Sequence, residues 1–148
     1  IVNTKTDSTS TGSSSFTDIA GMSASITPTA TNSKILWRFD LMCGSHNHYG
    51  GIKITYGDNT ELTTQAISIA SGSRTRATIG AIYTGGSDEG TPVSMQGIDS
   101  PNTTSATTYK LRWRVVSGDI YLNRVSNDPN SSETSRGIST LTLMEVLQ

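Results

Sequence analysis

Between Ser33 and Cys43 the apolar residues Ile35, Trp37, Phe39, Leu41 and Cys43 take every second position, and Leu36, Arg38, Asp40 and Met42 fill the places between. A period of two belongs to a strand, whose successive side chains leave on opposite faces; a helix would repeat its apolar face every three or four residues. Residues 107–116 show the same pattern, with Tyr109, Leu111, Trp113 and Val115 on one face and Lys110, Arg112 and Arg114 on the other. That charged face is expected to meet solvent or another subunit. Weaker alternation or short β-branched runs mark residues 23–27, 51–56, 62–70, 76–83, 93–98, 119–125 and 138–147 as further strands. Turn clusters separate them, among them Gly57-Asp58-Asn59, Ser71-Gly72-Ser73, Gly85-Gly86-Ser87-Asp88, Ser100-Pro101-Asn102 and Asn127-Asp128-Pro129-Asn130. No stretch of ten or more residues carries a helical apolar period. The expectation is an all-β chain: an antiparallel, jelly-roll-like β-sandwich of about nine strands.

Composition sharpens this picture. Hydrophobic residues make up 33% and charged residues 16%, while Ser and Thr together number 45 of 148. Polarity therefore comes from hydroxyls. Disorder normally goes with high net charge and few β-branched residues, and a net charge of -1 with abundant Ile, Val and Thr argues for a folded chain. Eleven Lys and Arg against twelve Asp and Glu leave no basic excess for a phosphate backbone, so nucleic acid is not an expected partner. Apolar runs fall far short of the roughly 20 residues that cross a bilayer, and no membrane insertion is expected. The lone Cys43 has no partner for an internal disulfide. Residues 7–15 are a low-complexity Ser/Thr run, so residues 1–15 read as an extended linker from an upstream region and residues 16–148 as the sandwich domain. Opening at Ile1 with no start Met or basic-then-apolar leader, the chain reads as a fragment or processed product of a longer polypeptide.

Chemistry-bearing motifs are scarce. The sequence has no GxSxG elbow, no phosphate loop ending in Lys-Ser/Thr, no HExxH and no dinucleotide-binding glycine pattern, so no enzyme activity and no cofactor are expected. His46 and His48 flank Asn47 and share a side if the segment is extended; repeated around a symmetry axis they would make a transition-metal site, but Gly-flanked loop residues are the better reading. Asp88 with Glu89, and Asp58 with Glu61, are neighbours in Gly-rich turns and lack the separation across a sugar ring that glycosidase carboxylates need. Asp128, Asn130 and Glu133 form a loose oxygen set without EF-hand spacing. Of the tyrosines, Tyr49 beside His48 reads as the exposed one, where a ring is able to stack on a sugar but a structural role is the better reading, and Tyr56 and Tyr83 read as half-buried strand residues.

Three segments carry a resemblance. The run Phe16-Thr17-Asp18-Ile19-Ala20-Gly21-Met22-Ser23-Ala24-Ser25-Ile26-Thr27-Pro28, followed by Ser33-Lys34-Ile35-Leu36, resembles the opening of a recurrent β domain of bacteriophage tail-fibre and other virion structural proteins. Asp99-Ser100-Pro101-Asn102-Thr103-Thr104-Ser105-Ala106-Thr107-Thr108-Tyr109-Lys110 is similar to that family's turn before its long central strand. Ser139-Thr140-Leu141-Thr142-Leu143-Met144-Glu145-Val146 is similar to its last strand. The resemblance implies a jelly-roll-like sandwich at the end of a homotrimeric fibre, located on the virion beside other tail or capsid proteins, whose loops touch a host cell-surface glycan or protein. It brings no catalytic residue. Receptor contact is expected in the 44–51 and 84–91 loops, at His46, His48, Tyr49, Asp88 and Glu89. Trimer contact is expected on the last strand, where Leu141 and Leu143 share one face and Met144 and Val146 the other, so that one face fills the core and the second calls for another apolar partner. Other readings are a trimeric capsid or tail decoration module without a receptor, and a carbohydrate-binding module of a secreted bacterial protein.

Overall fold

The computed structural model describes residues 1–62 and 66–147. Ten strands run β1 (Val2–Lys5), β2 (Thr9–Thr11), β3 (Thr17–Ile26), β4 (Lys34–Ser45), β5 (Gly50–Tyr56), β6 (Ile79–Ile82), β7 (Gly90–Asp99), β8 (Thr107–Val115), β9 (Ile120–Leu122) and β10 (Ser139–Val146). Every pairing between them is antiparallel. The six-stranded sheet is organised around β4. Along one flank β10 pairs with its first part and β9 with its last three residues; β7 lies along the other flank, and β1 and β2 pair outside β10 and β9. The second sheet has the order β3-β8-β5-β6. The two layers form the expected all-β, jelly-roll-like sandwich, with no helix among the described residues.

Alternation decides which residues fill the space between the sheets. Ile35, Trp37, Phe39, Leu41 and Cys43 of β4, with Leu141 and Leu143 of β10, face Ile52 and Ile54 of β5 and Tyr109, Leu111, Trp113 and Val115 of β8, all at 3% exposure or less. Burying side chains of this size contributes about 1.5–3 kcal/mol each, the main favourable term in a chain so rich in hydroxyls. Burial alone pushes the Cys43 thiol up to about 12, which holds it protonated and unreactive.

One buried charge links the layers. Asp99, the last residue of β7, accepts hydrogen bonds from the hydroxyls of Tyr56 on β5 (2.6 Å) and Tyr109 on β8 (2.7 Å). Burial, reinforced by the carboxylate beside them, pushes both phenols well above the usual tyrosine range.

The first fifteen residues depart from the linker expected of them. β1 pairs with β10 and β2 with β9. The buried Asn123 donates to the carbonyls of Lys5 and Asp7 (both 2.9 Å), while its own carbonyl accepts from Ser139 (2.6 Å). Lys5, only 7% exposed, pairs with Asp7. A hydroxyl-rich segment with little to bury is thus held by backbone pairing and one saturated amide, neither of which leaves an apolar signature in the sequence. Elsewhere, no strand forms among the described residues of 62–70; Thr63, Thr64 and Gln65 lie outside the described residues.

The last strand corrects half of the expected interface. Leu141 and Leu143 are fully buried in the chain's own core, so in the folded protomer neither is available to a second subunit. Met144 (48% exposed) and Val146 (39%) lie on the outer face. There Met144 stands opposite Leu36 of β4, which stands opposite Ile98 of β7, also exposed, so one apolar row crosses three strands. Beside it Arg38 and Asp40 of β4 form a bidentate pair (2.8 and 2.9 Å).

Candidate functional site

The end of the sandwich where β5 begins and β8 finishes carries an apolar groove of about 250 Å³. Gly50, Gly51, Ala77, Gly80 and Ala81 leave the space open, and Phe16, Tyr49, Arg74, Thr75, Arg114 and Val116 complete its lining. The opening is built into the sequence of the β5–β6 edge. A side chain at Gly80 would meet nothing within 4 Å, and Gly51, paired with Arg114 in register, sits where any larger residue would stand in the groove. Ala81 holds φ +58°, a left-handed conformation that costs a residue with a Cβ roughly 1–2 kcal/mol. Such strain is found where the surrounding fold dictates the backbone.

Beside the groove, Tyr49 stacks on Tyr83 with ring centroids 5.0 Å apart and planes 27° from parallel. Both rings are exposed, at 57% and 42%. Asn47 fixes the pair: its side-chain carbonyl accepts from the Tyr83 hydroxyl (2.7 Å), and its backbone N–H donates to the Thr84 carbonyl (3.0 Å). Asn tolerates the left-handed φ of +56° that this turn requires. The structure therefore brings the 44–51 and 84–91 segments together, and it places Tyr83, expected as a half-buried strand residue, in an exposed aromatic pair. Tyr56, by contrast, is half-buried on β5.

Charge is unevenly distributed around this end. The outer face of the β3-β8-β5-β6 sheet and the β5–β6 loop hold Lys53, Arg74, Arg76, Lys110, Arg112 and Arg114, six of eleven Lys and Arg, against Asp18, Asp58 and Glu61, three of twelve acids; Asp88, Glu89 and Asp119 lie in the loops after β6 and β8. Asp18 pairs with Lys110 (2.8 Å) and Arg112 (3.0 Å), and the hydrogen bond from Lys110, then both positive charges, hold its carboxyl below the usual range. Glu61 pairs with Lys53 and Arg76 and is lowered in the same way, Lys53 first. Among the described residues only Lys34, Arg74 and Arg114 have no carboxylate within ion-pair distance. Two of those three line the groove. Arg74 donates to the Ser71 hydroxyl (3.2 Å), Arg114 to the Thr75 hydroxyl, and the buried Nε of Arg114 has no hydrogen-bond partner.

Of the expected contact residues, only Tyr49 lines the groove. His48 packs its ring against Gly118, its Nδ1 3.5 Å from the Ser117 hydroxyl, whereas His46 is exposed. Among the described residues no three His, Cys, Asp or Glu side chains gather as a metal site. Glu89 accepts from the backbone N–H groups of Gly85 and Gly86 (both 3.0 Å) and so caps its own turn, whereas Asp88 accepts from the Asn127 side chain (3.0 Å) and ties its turn to the loop after β9. Asp128 of the loose oxygen set is committed to Arg136, whose hydrogen bond lowers its carboxyl. Phe16, Arg74, Thr75 and Arg114 line the groove without having been expected from the sequence. A signal existed for Arg114, since the charged face of its strand is plain in the alternation; the others sit in polar turns.

No family model matches the chain, and a search of curated proteins finds no match. Among solved structures, a mutant VP2 protein of infectious bursal disease virus in T=1 particles is similar with a TM-score of 0.48 and 13% identity, over 95% of this chain and 34% of that one. The VP2 subviral particle of the same virus is similar with a TM-score of 0.30 and 17% identity, over 99% of this chain and 37% of that one. The chain thus spans about a third of the length of the viral chains it matches.

Proposed function

We propose that this chain is a virion structural protein, the distal domain of a phage tail fibre or spike, and that it recognises a host cell-surface glycan without catalysis. The observation that carries this reading is the groove with its stacked Tyr49–Tyr83 pair and two arginines free of carboxylates. Aromatic faces pack against the C–H faces of sugar rings, guanidinium groups meet sugar oxygens, and the groove's lining holds no carboxylate or imidazole to move a proton. The tail location rests on the three segments that resemble tail-fibre β domains. Immunogold labelling of purified virions with an antibody against the chain is expected to mark fibre tips. Label confined to the head would contradict the tail location, and particles without label would contradict the virion role.

Assembly as a homotrimer belongs to the same reading, with the outer face of the β4 sheet as the contact. The row of Met144, Leu36 and Ile98 supplies the apolar area that a second copy covers, with the Arg38–Asp40 pair at its polar margin. Three weak glycan sites on one fibre tip then act together. Light scattering is expected to give a mass near three times 15.7 kDa, falling to one copy in Met144→Glu, whose exposed position leaves the fold intact. A monomer mass for the parent chain at micromolar concentration would contradict the trimer.

A further inference from the structure

We propose that the groove is selective for a carboxylate-bearing sugar residue, its carboxylate held by Arg74 and Arg114 and its ring laid against Tyr49; this rests on the glycan reading above. Eight of the eleven Lys and Arg lie within ion-pair distance of a carboxylate of the chain itself. Two that do not, Arg74 and Arg114, come from separate parts of the sequence, a turn before β6 and the end of β8, and converge on one groove. Neither guanidinium is saturated. Arg74 gives one hydrogen bond to Ser71 and Arg114 one to Thr75, so each guanidinium keeps further N–H donors for an incoming carboxylate. The outer face of the sheet together with the β5–β6 loop adds attraction at longer range, with three more positive than negative charges on a chain whose net charge is -1.

The chemistry of the lining separates a carboxylate from other anions. Guanidinium presents a planar fork that matches the two oxygens of a carboxylate. A doubly charged phosphate is more often cradled by backbone N–H groups at a helix start or nest, or by lysine, and the groove has neither helix nor lysine in its lining. Apart from Thr75, whose hydroxyl accepts from Arg114, the rest of that lining is apolar: Phe16, Val116 and the face of Tyr49 suit the ring of a sugar and not a bare ion. A charged group on an apolar ring is the ligand class that this pairing fits, as in a uronate or a sialate.

The test uses the chain itself, biotinylated and displayed on streptavidin, against an array of uronate- and sialate-containing glycans, their carboxyl-reduced counterparts, and neutral, sulfated and phosphorylated glycans. Binding is expected on carboxylated members and is expected to disappear on carboxyl reduction. Arg74→Met, in an exposed turn where folding is not at stake, is expected to weaken it about ten-fold or more. Arg114→Lys is expected to retain more binding than Arg114→Met. Equal binding to acidic and reduced glycans, unmoved by Arg74→Met, would overturn the carboxylate assignment and leave the glycan reading standing. A preference for sulfated or phosphorylated members would do the same. Silence across the whole array would overturn both.

Discussion

Replacing Asp99 by alanine is expected to destabilise the fold by about 3 kcal/mol and to lower the melting temperature by about 10 °C, because each of two phenol hydroxyls loses its acceptor at a cost of roughly 1–3 kcal/mol. Tyr109 is fully buried and has no water to turn to; Tyr56 is half-buried and loses less. Against a total stability of about 5–15 kcal/mol the loss is large. It is also confined to one end of the molecule. Tyr56 closes β5 and Gly50 opens it, so roughly 20 Å of strand separates the Asp99 clamp from the groove. Thermal unfolding followed by circular dichroism measures the loss, and a melting temperature within 2–3 °C or so of the parent's would show that the clamp contributes little.

The same clamp makes the fold sensitive to alkali. Both phenols are raised in the folded state above their ordinary value of 10, so the stability they contribute is fully present below pH 10 and is lost as pH rises from there toward their folded values. Tyrosinate absorbance from these two side chains is therefore expected to appear together with loss of the fold. A titration in which all five tyrosines ionise near pH 10 with the fold intact would contradict this.

How far the sequence reveals this molecule depends on distance along the chain. Ile35 to Cys43 and Tyr109 to Val115 are legible because a half-buried strand writes its burial directly as alternation. The N-terminal segment is not: β1 and β2 are ordered by Asn123 and Ser139, more than a hundred residues away, and hydroxyl-rich sequence looks the same whether its backbone is paired or free. The last strand is half legible. Its two faces are evident from the sequence, but which one its own core takes depends on register with β4, and only Met144 and Val146 remain outside. For the groove, Tyr49 is readable from its Gly-flanked loop, whereas Arg74 and Arg114 acquire meaning only when β6 and β8 close around β5. Residues that leave space, such as Gly51 and Gly80, give no sign in a sequence of whether they serve a turn or an opening.

The substitution with the largest expected effect on binding follows from that last point. Gly80 has an ordinary backbone conformation, and a Cβ built on it meets nothing within 4 Å, so a large side chain enters the groove without disturbing the strands beneath. Aromatic residues are well accommodated in strands, and Gly80→Trp is expected to leave the melting temperature unchanged or slightly raised. The indole then occupies the space that a sugar ring needs beside Tyr49. The decisive measurement is the glycan-array signal of folded Gly80→Trp against that of the parent chain: a recognition groove predicts a loss of roughly 30-fold or more, the effect of removing about 2 kcal/mol of contact. A folded Gly80→Trp chain that binds its glycan as tightly as the parent would place recognition elsewhere on the molecule.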